Sequence, residues 1–131
     1  MATLTSDQLA QLAEDYQSLG EALLQFKLDN AATLDSMTFQ DLGSRINLII
    51  HNSNVLAAMA TYSIASDISQ QLTSIGQATK DITGALQTIK SVQNAIDIAT
   101  AVVNVGTSLL SLNVNGVVSG VSDLVTAIQN A

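Results

Sequence analysis

The chain has 131 residues, enough for one domain with a single buried core. It is 47% apolar and only 11% charged, against about 25% in an ordinary globular chain. Four basic residues face eleven acids for a formal net charge of −7, which excludes the clustered cations that nucleic acid or an anionic lipid surface requires.

The absence of cysteine removes disulfides, thiol catalysis and thiolate metal sites. A surface this poor in charge is weakly solvated unless partners cover much of it, and this is a first argument for assembly. The opening "MATLTSDQLAQLAEDY" has no basic residue and no apolar core of the length a secretory signal needs. The expectation is a cytoplasmic chain by default, or one exported by a route that does not read a cleavable signal.

No proline interrupts the chain. Thr5 and Gln8 form a capping-box pattern at the head of a first helix over about 6–28. Leu9, Leu12, Tyr16, Leu19, Leu23 and Phe26 recur along it at spacings of three and four, which sets them on one seam. "LDNAATLDS" reads as a connector. A second helix starts near Thr38, with Asp41 as its capping partner. Its seam runs through Phe39, Leu42, Ile46, Ile49, Ser53, Leu56 and Ala60. The pattern slips between Thr61 and Gly76, where a break or bend is expected.

The third segment carries the strongest pattern. Ile68, Ile75, Ile82, Ile89, Ile96, Val103 and Leu110 fall every seven residues. Smaller residues, Ala78, Ala85, Val92, Ala99 and Gly106, follow three positions behind the members from Ile75 to Val103. This combination predicts one long, centrally placed helix with left-handed supercoiled packing. "NVNG", with Asn113, Asn115 and Gly116, reads as a turn tolerant of positive φ. A last helix over about 117–130 places Val117, Val121, Leu124, Val125 and Ile128 on one face.

Little here suggests chemistry. His51 is the single histidine and has no ligand at metal-binding helical spacing. No nucleophile elbow, phosphate loop or dinucleotide fingerprint occurs. Glu14 and Asp15 are adjacent carboxylates, but neighbouring helix positions point apart. The chain therefore reads as no enzyme, with no cofactor and no metal.

Residues 98–122 contain no charged side chain. Gly116 and Gly120 match the small-xxx-small spacing of helix contacts in membranes, although a turn glycine at 116 accounts for half of the pattern. Thr100, Asn104, Thr107 and Ser111 form an uncharged polar stripe, read first as the wetted face of a bundle and second as a pore lumen or assembly surface. Residues 98–112 would rise about 22 Å as helix, short of the roughly 30 Å hydrocarbon core. No basic or aromatic anchor flanks the stretch.

The expected fold is all-α: an up-and-down bundle of about four segments ending in an apolar hairpin over 98–130. The expected role is structural, as a homo-oligomer or the partner of another helical protein. The alternative is insertion of the hairpin into a membrane. In plan alone, long seamed helices before an uncharged hairpin are similar to the heads of α-helical pore-forming toxins.

Overall fold

A computed structural model describes residues 3–4, 6–58, 62–63, 69–89, 91–111 and 113–130. The described chain is helical apart from one two-residue pairing and its connections. Strands β1 (Thr3–Leu4) and β2 (Tyr62–Ser63) pair antiparallel, Thr3 opposite Ser63 and Leu4 opposite Tyr62. The helices are α1 (Ser6–Asp29), α2 (Ser36–Ala58), α3 (Ser69–Gln87), α4 (Val92–Leu110) and α5 (Val114–Gln129).

From Leu12 onward the α1 seam forms as its spacing demands; the side chain of Leu9 lies outside the described residues. Leu12, Tyr16, Leu19, Leu23 and Phe26 are all buried. Full burial of one such side chain contributes about 1.5–3 kcal/mol relative to leaving it in water. Helix α2 returns antiparallel, so that Gly20 faces Ile49 and Lys27 reaches back toward Gly43. The Lys27 ammonium sits 4.2 Å from the Phe39 ring centroid, a cation–π contact. A Cβ on Gly43 would lie 2.9 Å from that Nζ, so the glycine leaves room for it. The N-terminus of α2 is capped by Asp35, which accepts from the Thr38 backbone N–H at 2.8 Å and whose carboxyl is held below its usual range by that bond. The expected Thr38–Asp41 cap is thus displaced three residues upstream. The Thr5 cap lies outside the described residues.

The long third helix is not continuous. It divides between Gln87 and Val92 into α3 and α4, giving five helices among the described residues where about four segments were expected. One helix over 69–110 would be about 63 Å long and could not bury its apolar face within a chain of this size. Divided, it sends Ile75, Ile82 and Leu86 of α3 and Ile98, Val102, Val105 and Leu109 of α4 into one core. Neither half is central. Helix α1 packs on α2 and α3, α2 on α4, α4 on α5, and α5 on α3, which closes a circuit of five.

The division also changes the helical phase. Ile75 and Ile82 are buried as the heptad requires, but Ile89, Ile96, Val103 and Leu110 are only half-buried. In α4 the core is reached instead through Ala95, Ile98, Ala99, Ala101, Val102, Val105, Gly106 and Leu109. Ile68 lies outside the described residues.

"NVNG" is also used differently. Asn113 has φ −93°, and its side chain accepts from the Gly116 N–H at 3.0 Å, so it caps α5. Its own N–H donates to the Ser108 carbonyl at 2.9 Å, which closes the end of α4.

Ile82→Ala should lower stability by about 2–5 kcal/mol in a denaturant titration. Ile89→Ala, at a half-buried heptad position, should lower it by clearly less, and Gln87→Ala by under about 0.5 kcal/mol. Equal losses at 82 and 89 would mean that the continuous heptad face is the buried one.

Candidate functional site

The α4–α5 hairpin holds most of the residues that the sequence singles out. Its two helices run antiparallel, and both glycines of "GVVSG" serve that contact. A Cβ on Gly120 would lie 2.9 Å from Val105 Cγ2 and 3.3 Å from its backbone nitrogen, and Gly120 is buried. A Cβ on Gly116 would collide with Ser108 Oγ. The small-residue spacing therefore joins α5 to α4 within one chain. Asn115 is exposed on the first turn of α5.

The polar stripe is split. Thr100 is half-buried between α4 and α2, accepting from Arg45 Nη1 at 2.8 Å and donating to the Ile96 carbonyl at 2.8 Å. Asn104, Thr107 and Ser111 are exposed. Thr107 Oγ1 donates to the Val103 carbonyl at 3.1 Å, and Ser111 Oγ to the Thr107 carbonyl at 2.9 Å. These hydroxyls turn back onto their own helix. Thr100 and Asn104 also line a shallow groove of about 260 Å³ with Asp97, Asp123, Thr126 and Asn130.

A second polar group lies inside the bundle, where α1, α2 and α4 meet. Tyr16 is fully buried and Asn52 nearly so, and both face Gly106. A Cβ at 106 would stand 2.5 Å from the Tyr16 hydroxyl and 2.6 Å from Asn52 Nδ2. The hydroxyl finds no hydrogen-bond partner among the described residues. Burial pushes its ionisation far above the usual phenol range, and the adjacent Gly106 backbone offsets this only in part. The sequence marks Tyr16 and Gly106 as seam positions and gives no sign that they meet.

Five acids have amide partners one turn earlier: Gln11–Asp15, Gln17–Glu21, Gln25–Asp29, Gln77–Asp81 and Gln93–Asp97, at 2.7–3.1 Å. Such i,i+4 pairs each add about 0.2–0.5 kcal/mol to a helix. The repeated Gln-x-x-x-acid spacing was visible in the sequence as the signal for them. Arg45 pairs with Asp41 at 3.1 Å. His51 is exposed on α2, and among the described residues no three His, Asp or Glu side chains gather as metal ligands. A larger groove of about 370 Å³ lies between α1 and α3, walled by Phe26, Leu86 and Ile89 and rimmed by Gln25, Asp29 and Asn30.

Gly106→Ala should destabilise the chain by about 1–3 kcal/mol through overpacking against Tyr16 and Asn52. Because the folded state holds Tyr16 neutral, its contribution is fully present below the ordinary phenol value of about 10 and is lost as pH rises above it. Tyr16→Phe should therefore flatten the alkaline limb of the stability–pH curve, with little loss at pH 7 because the hydroxyl it removes is unpaired. An unchanged alkaline limb in thermal melts would contradict this.

Compared with known families, characterised proteins and solved structures, the chain matches none.

Proposed function

We propose that this chain is a non-enzymatic helical assembly module that associates with itself, or with a helical partner, through the outer surface of its α4–α5 hairpin. The observation that carries this reading is the chemistry of that surface. From Val92 to Asn130 the charged residues are Asp97 and Asp123 alone. The exposed hydroxyls of Thr107 and Ser111 are already bonded to their own helix. Val118 on α5 is 41% exposed and Leu110 on α4 is half-buried. Covering such a surface removes little hydration from charged or unpaired polar groups, so the desolvation penalty of association is small.

Among the described residues, no helix is long and apolar enough to cross a membrane. Entry of the 98–130 hairpin into lipid would also carry Asp123 with it, with Asp97 at its edge. Lipid insertion is the competing outcome of the test rather than a second proposal.

Thr107→Glu should raise the dissociation constant of the assembly at least tenfold, measured by light scattering after size exclusion, with the helical circular dichroism retained. Unchanged mass, together with cation-selective conductance gained in liposomes, would favour the pore reading instead. Unchanged mass without conductance would remove the stripe from both.

A further inference from the structure

The corner between α3 and α4 contradicts the sequence that forms it. Helix α3 ends at Gln87 and α4 begins at Val92, yet neither glycine nor proline occurs between Gly84 and Gly106. Thr88 completes α3 with weak bonds, its N–H donating to the Ala85 carbonyl at 3.3 Å and its hydroxyl to the Gly84 carbonyl at 3.2 Å. Ser91 begins α4 in an extended conformation, φ −150° and ψ 153°, but its side chain makes no capping bond. A serine in that position ordinarily accepts from the first turn.

The apolar line runs through the corner without a phase error. Ile82, Ala85, Ile89, Val92, Ile96 and Ala99 are spaced three, four, three, four and three. That is one continuous seam on an unbroken helix. In the bent chain only its ends, Ile82 and Ala99, are buried. Ala85, Ile89 and Ile96 are half-buried, and Val92 is 36% exposed. The four middle positions form a coherent face only when the corner is straight.

Resting on the self-association of the reading above, but not on its outer hairpin surface, which the exchange leaves uncovered, we propose that two copies of this chain exchange their α4–α5 hairpins by straightening the corner between Gln87 and Val92 into one helix. The hairpin can move as a unit, because Gly116 and Gly120 lock α5 to α4 at close range. Its docking surfaces on α2 and α3 are refilled by the hairpin of the other copy, so the core packing is conserved. The new contact is the segment Ala85–Ile96 of each copy against the same segment of its partner, a self-complementary two-fold interface. The occupant of the vacated surface is therefore a second copy of this chain.

The chain has no cysteine, so a spin-label pair placed by Gln70→Cys and Ser119→Cys is specific. In the bent fold these sites lie on the neighbouring helices α3 and α5, within about 20 Å. Ser119 precedes Gly120, which packs on Val105 of α4, so on a straightened helix the rise over the 35 positions from Gln70 to Val105 separates the labels by about 50 Å. The labelled chain, diluted with unlabelled chain, should show the long distance in the dimer and the short one in the monomer. Val92→Pro supplies the second arm. Proline suits the first position of α4 and the extended Ser91 before it, but it breaks a continuous helix. It should retain the monomer's helix content while raising the dimer dissociation constant at least tenfold.

A dimer that keeps only the short distance, or a Val92→Pro chain that dimerises like the parent, overturns the exchange and leaves the assembly reading standing. A parent chain that remains monomeric at all concentrations overturns both.

Discussion

The close approach of α4 to α1 and α2 at Gly106 is the constraint on which the rest of the fold depends. Only a residue without a side chain lets the Tyr16 ring and the Asn52 amide lie against the α4 backbone. That approach sets the rotation of α4, turning Ile98, Val102, Val105 and Leu109 inward and Thr107 and Ser111 outward. It leaves a tyrosine hydroxyl in the interior without a hydrogen-bond partner among the described residues, an unfavourable term. The surrounding seam of Leu12, Leu19, Leu23, Ile46, Ile49 and Leu56 offsets it through burial alone.

Charge is used sparingly and locally. With few bases available, the acids of α1, α3 and α4 bond to glutamines one turn earlier, which orders each side chain without bringing in a cation. Arg45 is spent on the α2–α4 contact, bridging Asp41 and Thr100, and Lys27 on the α1–α2 hairpin above Phe39. The hairpin at the C-terminal end receives almost none of this. A chain that solvates one half with carboxylate–amide pairs and leaves the other half nearly neutral has two unlike surfaces, and only the neutral one can be covered at small desolvation cost.

The seven-residue repeat illustrates how one pattern can fit two structures. A compact chain must fold its longest apolar segment back on itself, and burial of Ile75, Ile82 and Leu86 beside Ile98, Val102 and Leu109 satisfies that need. The price is a corner whose Ile89, Val92 and Ile96 remain partly in water. These residues are not packing errors of a kind that local substitution would mend, since each is in phase with neighbours on both sides.

Most of what depends on local periodicity was legible in the sequence. Most of the buried faces of α1 and α2 between Leu12 and Leu56 follow from spacings of three and four, because a helix repeats every 3.6 residues whatever it packs against, although Phe39 is only half-buried and the off-seam Ala13 and Asn52 are buried as well. The hairpin near the C-terminus was legible for the same reason. The register of α4 was not. The corner between Gln87 and Val92 resets the rotation between two helices, and that rotation is fixed by contacts more than thirty residues away, such as Arg45 with Thr100 and Asn52 with Gly106. Asn113 and Gly116 read equally well as a turn or as a helix cap, since both uses need the same side-chain acceptor and the same freedom of the following backbone. Their helical setting decides between them. The sequence by itself determined which residues share a face on each helix. Only the tertiary structure decided which faces meet, because a helix cannot know its own rotation until a neighbour, here admitted by a missing side chain at 106, stops it.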